Sequence, residues 1–321
     1  MTRVLVYRAI GLGDFLTGVP ALRAVARAFP STEVCLAAPA PLAPLVPLTG
    51  AVRTFLPTGE LEPPPWSGPA PELAVNLHGR GPQSHRLLQA LAPRRLIAFA
   101  SPDAGVDGPR WRADEHEVAR LCRLLDESGI RADERDLDLA APSVPPPRPA
   151  ATVVHPGAAA PDRRWPVDRF AAVATQLAAR GHHVVVTGVP AELAAARAVA
   201  AGAGLPDDRI LAGQLDLGAM AALVAAARLV ICGDTGVGHL ATAYRTPSVL
   251  LFGPMSPALW GPPAGRREHR VLWHGERTGG RAGDGEPHPA LLAITVAEVL
   301  TGADELQRLG PQGVAGLRPQ P

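Results

Sequence analysis

The sequence predicts an α/β protein with parallel sheets, built from two similar units. Short apolar segments typical of buried strands alternate along the chain with segments of helical periodicity, and this alternation favours parallel β–α–β arrangements. A proline-rich segment at residues 141–150, APSVPPPRPA, interrupts the pattern because it can continue neither a helix nor a central strand. The pattern then starts again. With 321 residues, the chain is long enough for two domains of about 150 residues each.

The first unit is predicted to cover residues 1–142. It begins with a strand that ends in a glycine-rich turn, and Pro30 ends the helix that follows. Further strands and one amphipathic helix come after it. The predicted strands are residues 3–8, 33–38, 73–77 and 95–99, and the predicted helices are residues 17–29 and 116–125.

After a linker at residues 143–150, the second unit is predicted to cover residues 151–290. Its predicted strands are residues 152–154, 183–187 and 229–231, with one more before the sequence FGP, and its predicted helices are residues 167–180, 192–201 and a short one ending near Tyr244. A glycine-rich charged segment at residues 274–289 is expected to be a loop. A terminal helix at residues 291–309 and a disordered tail at residues 310–321 complete the prediction.

The composition argues against several classes of protein. A net charge of +1 gives no signature of polyanion binding, so nucleic acid is not an expected partner. Cys35, Cys122 and Cys232 lie far apart in apolar or helical surroundings, which predicts buried thiols in a reducing cytoplasm rather than a metal site or disulfides. No apolar segment approaches the roughly 20 residues that cross a bilayer, and no signal sequence is recognisable. A cytoplasmic protein, at most in peripheral contact with the inner face of a membrane, is expected.

The most informative segment is LVICGDTGVGHLATAYRTPSVLLFGP, residues 229–254. An apolar strand is followed by a turn with Asp234, Thr235 and Gly236, and this turn opens a helix that carries His239. Free backbone N–H groups at such a helix start attract phosphate. In the alternative interpretation, Asp234 only caps the helix and His239 only packs within it.

A second motif, HPGAAAPDRRWP at residues 155–166, also follows a strand. It brings Arg163 and Arg164 just before the next helix, and cations at that place suit phosphate oxygens. Surface arginines with Trp165 as a packing anchor are the alternative. Further on, Glu192 stands at the start of another helix, where its carboxylate either accepts hydrogen bonds from ribose hydroxyls or only complements the helix dipole.

The third motif, YRAIGLGD at residues 7–14, joins the first strand to the first helix. Its glycines resemble the start of a dinucleotide fingerprint, but the third glycine is missing, so a nicotinamide site is a weak interpretation. The loop places Asp14 at the carboxyl end of a strand, where ligands bind in open α/β sheets, and thus in the cleft expected between the units. Asp14 as the N-cap of the next helix is the alternative.

Taken in order, GLGD, PG followed by RRWP, and DTGVGH followed by FGP resemble the motifs of family 9 glycosyltransferases. This group contains the ADP-heptose:lipopolysaccharide heptosyltransferases, and order and spacing agree over roughly residues 3–260. The resemblance implies a GT-B fold, in which two Rossmann-like domains with parallel sheets face each other across a cleft. It also implies that the C-terminal domain binds the donor and the N-terminal domain binds the acceptor.

By the same resemblance, Asp14 is the catalytic base and Arg163 takes the place of a phosphate-binding lysine. Arginine keeps the charge of that lysine but can bind phosphate through two donors. Glu192 corresponds to the acid that binds the ribose, and Leu215 corresponds to an apolar residue against the base. The residues that correspond to the nucleotide-diphosphate loop are Asp234, Thr235, Gly236 and His239.

The reaction needs neither a metal nor a cofactor in this interpretation. Arg163 and backbone N–H groups carry the charge of the departing nucleoside diphosphate. Asp14 accepts the proton of an acceptor hydroxyl as that hydroxyl attacks with inversion. The acid pair Asp136 and Asp138 is interpreted as a solvated strand edge rather than a metal-binding motif.

The acceptor side is less distinctive. Gly13, His78 and Arg80 are candidate acceptor contacts, with a turn histidine and a surface arginine as the alternative. The sequence RWR at residues 110–112 either binds the acceptor or covers the edge of the domain. The overall prediction is an inverting, metal-independent glycosyltransferase that uses a nucleoside-diphosphate sugar, with ADP-heptose favoured, and a glycan or glycolipid hydroxyl. A non-catalytic nucleotide-sugar-binding protein and a nicotinamide-dependent oxidoreductase are the alternatives.

Overall fold

The computed structural model describes residues 2–276 and 285–315 of the chain. The chain divides between Ala140 and Ala141 into two compact units, close to the predicted end of the first unit at residue 142. Each unit contains one parallel five-stranded sheet, as the alternation of strands and helices predicted.

The first unit is built around a central strand that is buried on both faces. The strands are β1 (Arg3–Tyr7), β2 (Glu33–Ala38), β3 (Thr54–Pro57), β4 (Leu73–Asn76) and β5 (Arg95–Ile97), in the spatial order β3-β2-β1-β4-β5. In β1, Val4 pairs with Val34 on one side and with Leu73 on the other. An uninterrupted apolar strand suits this position, since helices cover both faces of a parallel sheet.

The helices of the first unit differ from the prediction at its start. They are α1 (Leu12–Thr17), α2 (Val19–Ala28), α3 (Gln83–Gln89) and α4 (Glu117–Glu127). The predicted helix at residues 17–29 is therefore α2, and the additional helix α1 precedes it. Gly18 separates the two helices and packs against Arg8, because a Cβ at Gly18 would lie only 2.8 Å from Arg8 Cδ.

The second unit repeats the arrangement with five more strands. They are β6 (Thr152–His155), β7 (Val184–Val186), β8 (Leu229–Gly233), β9 (Ser248–Leu251) and β10 (His269–Leu272), in the spatial order β10-β9-β8-β6-β7. The helices are α5 (Val167–Ala179), α6 (Leu193–Gly202), α7 (Leu217–Ala225), α8 (Gly236–Ala243), α9 (Pro257–Trp260), α10 (Pro289–Leu292) and α11 (Val296–Ala315).

The helices near the end of the chain differ from two predictions. The terminal helix expected at residues 291–309 is divided into α10 and α11, and α11 continues to Ala315, so residues 310–315 are helical rather than a disordered tail. Val299, Ala303 and Leu306 repeat at helical spacing and are buried in the core of the second unit, and α11 continues from this anchored part to Ala315. Of the predicted loop at residues 274–289, residues 277–284 lie outside the described residues, as do residues 316–321 of the tail.

Two further observations bear on the sequence predictions. Cys35, Cys122 and Cys232 are buried, as predicted, and all three are free thiols in the structure. Within the described part of the chain, every helix is too short or too polar to serve as a membrane span.

Candidate active site

In the second unit, β8, the turn after it and α8 have the strand–turn–helix arrangement predicted for residues 229–254. β8 ends at Gly233, α8 begins at Gly236, and the Asp234 N–H donates to the Leu251 carbonyl 3.1 Å away. The N-cap of α8 is Thr235, so the alternative interpretation of Asp234 as the cap is wrong. The Thr235 side chain makes no capping hydrogen bond, which leaves the first amides of α8 suited to an anion.

The hydroxyl of Thr235 faces a small pocket. Its Oγ1 is buried and makes no hydrogen bond of ordinary geometry to the described residues, although it lies near the Cys232 thiol. Such an atom is uncommon, because leaving it unsatisfied costs about 1–3 kcal/mol. The pocket has a volume of about 10 Å³, room for about one water molecule, and Asp234, His239 and Trp260 also line it. Thr235 therefore places a buried hydroxyl without a regular partner beside this small space.

Arg163 from the second motif lies against this turn. Its Nη1 is 3.4 Å from Asp234 Oδ2, and the Asp234 side chain is buried while the Arg163 side chain is 37% exposed. The backbones also touch, because a Cβ at Gly233 would lie 3.2 Å from the Arg163 carbonyl oxygen. The structure thus brings the first and second motifs together, with Asp234 fixing a guanidinium whose exposed portion can bind an anion.

The two residues after Arg163 have structural roles. Trp165 is buried in the core of the second unit, donates through Nε1 to the Ile294 carbonyl at 3.1 Å, and packs edge-on against Phe170. Arg164 is exposed and donates through Nε to the Ala158 carbonyl at 2.9 Å. The packing interpretation is therefore right for Trp165, whereas Arg163 is the arginine directed to the β8–α8 turn.

Glu192 lies at the carboxyl ends of β6 and β7. Its side chain is 12% exposed, and Oε2 accepts a hydrogen bond from the Val189 N–H at 2.8 Å. Oε2 is also 4.0 Å from His155 Nε2. A Cβ at Gly157 would overlap the carboxylate, so the glycine of the second motif is required for this approach. Glu192 therefore adjoins the motif that carries Arg163, which sequence spacing alone could not show.

Leu215 lies in the loop that precedes α7, one residue before the N-cap Asp216, and is half-buried. The loop is held against the turn after β7, because the Gly213 N–H donates to the Gly188 carbonyl at 2.9 Å. The structure thus places the loop of Leu215 beside the turn that leads to Glu192, with an apolar side chain at its end.

In the first unit, Asp14 lies in the first turn of α1. The N-cap of α1 is Gly11 and that of α2 is Gly18, so the alternative interpretation of Asp14 as an N-cap is wrong. The carboxylate is 28% exposed, and its Oδ1 lies 3.8 Å from Nη2 of Arg8. Gly13 precedes it in the same turn and is half-buried. Asp14 therefore combines exposure to solvent with a fixed cationic neighbour.

Arg8 is the residue that the sequence interpretation missed. Its side chain is 2% exposed and donates to Thr17 Oγ1 at 3.0 Å, to Glu117 Oε1 at 3.1 Å, and to the carbonyls of Asp14 and Leu77. It thereby joins α1, α4 and the end of β4 around Asp14. The only signal in the sequence is an arginine directly after a buried strand, where a charged residue is seldom buried unless it is paired.

His78 lies within the electrostatic influence of Arg8. Burial and the Arg8 charge lower the pKa of His78 to about 4, so the ring is neutral near pH 7. Its Nδ1 is buried and finds no hydrogen-bond partner in the described parts of the chain, and the ring lies 5.2 Å from that of Tyr7. Arg80 is exposed in the turn that follows β4. Of the candidate acceptor contacts, His78 thus shares the surroundings of Asp14, and Arg80 lies two residues farther along the same turn.

The sequence RWR at residues 110–112 covers the edge of the first unit. Trp111 packs edge-on against Phe99 with ring centroids 4.9 Å apart, and Arg120 stacks over the Trp111 ring. Arg120 also donates to the Arg112 carbonyl. These contacts favour the covering role over acceptor binding.

The acid pair Asp136 and Asp138 lies in and beside a turn, so the predicted strand edge is wrong. Asp136 is held by Arg23, with Nη1 2.7 Å from Oδ1, and by Arg27. These ion pairs tie the segment to α2, which explains why it does not extend as a strand. Among residues 2–276 and 285–315, no group of three or more His, Cys, Asp or Glu side chains is arranged to hold a metal ion.

Two all-parallel sheets, with loops at the carboxyl ends of their strands, place the chain in the GT-B class of α/β proteins. The model of glycosyltransferase family 9 (heptosyltransferase) matches residues 111–279, which is more than half of the chain. The chain belongs to glycosyltransferase family 9.

Curated relatives match part of the chain. The lipopolysaccharide heptosyltransferase 2 of Escherichia coli K12 is 34% identical over 146 residues, which is 44% of this chain and 41% of the relative. The lipopolysaccharide heptosyltransferase 3 of Escherichia coli is 35% identical over 112 residues, which is 34% of this chain and 33% of the relative. The matched regions thus span less than half of these relatives.

Solved structures match nearly the whole fold. The ADP-heptose lipopolysaccharide heptosyltransferase II of E. coli has a TM-score of 0.74 at 22% identity and covers 95% of this chain and 98% of its own. A family 9 glycosyltransferase from Veillonella parvula has a TM-score of 0.77 at 19% identity, with 95% and 97% covered. E. coli heptosyltransferase WaaC, solved with ADP, has a TM-score of 0.70 at 19% identity, with 95% and 100% covered.

Proposed function

We propose that the protein is an inverting, metal-independent glycosyltransferase that moves heptose from ADP-heptose to a hydroxyl of a glycan or glycolipid. The observation that carries the proposal is the convergence, in a family 9 chain, of Arg163 and the start of α8, where the Thr235 side chain makes no capping hydrogen bond. The relatives are named as lipopolysaccharide heptosyltransferases, and one similar structure contains ADP-2-deoxy-2-fluoro heptose, which favours this donor and a lipopolysaccharide acceptor.

In the proposed mechanism, the second unit holds the donor through its diphosphate. The Arg163 guanidinium and the first amides of α8 bind phosphate oxygens, and these donors stabilise the negative charge that grows on the departing ADP. Asp234 keeps Arg163 in place. In other transferases a divalent cation stabilises the charge on the departing diphosphate. Here Arg163 and the helix amides are proposed to stabilise it, so the proposal includes no metal.

The remaining donor contacts are assigned to side chains near this turn. The Thr235 hydroxyl lacks a regular partner within the described residues and would bind a diphosphate or sugar oxygen, and His239 lines the same pocket. Glu192 would accept hydrogen bonds from the ribose hydroxyls, and Leu215 would lie against the base. No cofactor takes part.

The first unit is assigned to the acceptor. The Asp14 carboxylate accepts the proton of the acceptor hydroxyl as the oxygen attacks the anomeric carbon and the bond to ADP breaks. Gly13, His78 and Arg80 are proposed acceptor contacts, since neutral His78 can exchange hydrogen bonds with a sugar hydroxyl and exposed Arg80 suits an anionic group. We further propose that the enzyme works in the cytoplasm at the inner face of the membrane, where it would contact lipid-linked acceptors peripherally.

The test of the function is a donor screen followed by transfer. ADP is expected to raise the melting temperature of the protein more than GDP, UDP or NAD at equal concentration. ADP-heptose and heptose-deficient lipopolysaccharide should then give a product whose anomeric configuration, measured by NMR, is inverted. Stabilisation by NAD alone would contradict the proposal. Binding of ADP-heptose without transfer to any glycan would indicate a non-catalytic nucleotide-sugar-binding protein.

Replacing Arg163 with Met is expected to weaken ADP binding about 10- to 100-fold, because a charge-assisted contact to phosphate is lost. Arg164→Met is the matched control and should change the Kd less than about twofold, since Arg164 donates to a backbone carbonyl beside the site. Calorimetric titration at fixed salt measures both. If both variants weaken ADP binding equally, or if Arg163→Met does not weaken it, Arg163 does not bind the phosphates.

A further inference from the structure

Behind Glu192 lies a buried histidine that the mechanism above does not use. His155 is the last residue of β6, and its side chain is 8% exposed. Nδ1 lies 3.0 Å from Oγ1 of Thr187, a fully buried residue that directly follows β7. Nε2 lies 4.0 Å from Glu192 Oε2. Thr187, His155 and Glu192 thus form a line of polar groups from the buried sheet to the partly exposed carboxylate.

The Glu192 carboxylate is confined on its other sides. A Cβ on Gly157 would overlap the carboxylate, and one on Gly188 would lie 3.2 Å from Oε2. The Val189 N–H donates to Oε2 at 2.8 Å. Because Oε2 faces both this amide and the imidazole, the protein holds the carboxylate through one oxygen, and the orientation of the other oxygen is fixed with it.

The chemistry of the line determines the state of the imidazole. Burial lowers the pKa of His155, so the ring is neutral near pH 7 and carries one N–H. An ionised carboxylate only accepts hydrogen bonds, whereas a threonine hydroxyl can donate. The consistent arrangement is a Thr187 hydroxyl that donates to Nδ1 and an Nε2–H that points towards Glu192.

We propose that His155 is a positioning residue that, oriented by Thr187, holds Glu192 in the geometry required for the ribose hydroxyls of the donor. The inference rests on the proposed function and adds to it a determinant of specificity for ribonucleotides. A distance of 4.0 Å is too long for an ordinary hydrogen bond. The imidazole therefore acts on the carboxylate through the attraction of its N–H dipole and by limiting where the carboxylate can lie. His155 itself need not touch the donor.

The experiment compares two nucleotides that differ only in the ribose hydroxyls. The Kd values of ADP and of 2′,3′-dideoxy-ADP are measured by calorimetry for the wild type, Glu192→Gln, His155→Asn and Thr187→Val. The wild type should prefer ADP about tenfold, as expected for hydrogen bonds to a charged group. All three variants should reduce that preference to less than about threefold, with the dideoxy Kd unchanged within twofold.

His183→Asn supplies the matched control, because His183 is exposed and the chemical change is the same. It should keep the full preference for ADP. If His155→Asn weakens both nucleotides equally, or if it keeps the preference, the positioning role is overturned. If His155→Asn does not fold, the nearly isosteric Thr187→Val provides the test: a reduced preference for ADP supports the positioning role, and an unchanged preference overturns it. A wild type that binds neither nucleotide would refute the proposed function, whereas one that binds both equally would refute only this inference.

Discussion

Asp14→Asn is expected to lower the rate of sugar transfer by about 10²- to 10⁴-fold, the usual contribution of a general base. Asparagine has the size of aspartate but cannot accept the proton of the attacking hydroxyl. ADP binding should stay within about twofold of the wild type, because the diphosphate contacts are assigned to Arg163 and α8 in the other unit. Initial rates with ADP-heptose and calorimetric titration with ADP measure the two quantities separately.

The matched control is Asp103→Asn, which makes the same change at an exposed position of the first unit. Its rate should stay within about twofold of the wild type. A transfer rate of Asp14→Asn that equals that of the control would exclude Asp14 as the base. If Asp14→Asn loses ADP binding as well as transfer activity, Asp14 contributes to donor binding instead.

The central strands and the motif loops could be predicted because their sequences are distinctive. The buried parallel strand β8 is apolar along its whole length and β1 is apolar from Val4 onward, and each is followed by a glycine-rich turn that marks the start of a helix. The edge strands β3 and β10 were missed for the opposite reason. None of the four residues of β3 is buried, and in β10, which contains Arg270, only His269 is buried.

The surroundings of the candidate residues could not be predicted. Glu192 and Arg163 were chosen separately, but the overlap that a Cβ on Gly157 would make with Glu192 depends on how two loops meet in space. Arg8 is harder still, because arginine is almost always exposed unless it is paired. Its partner Glu117 lies 109 residues away in the sequence. A single sequence holds no signal for a pair at that distance.

Arg8→Met is expected to reduce the free energy of unfolding of the first unit by about 3–5 kcal/mol, the usual effect of breaking a buried ion pair. The side chain is 2% exposed, and its loss would leave Glu117 without one of its two arginine partners. The carbonyls of Asp14 and Leu77 would lose their guanidinium donor as well. Urea unfolding followed by tryptophan fluorescence measures the loss.

The control is Arg94→Met, because Arg94 also pairs with a glutamate, at 3.2 Å, but is 76% exposed. An exposed pair contributes about 0–1 kcal/mol, so the two variants should differ by at least about 2 kcal/mol although the chemical change is identical. A loss for Arg8→Met no larger than that for Arg94→Met would mean that water reaches Arg8. In that case, Arg8 could not hold α1, and with it Asp14, in a fixed position.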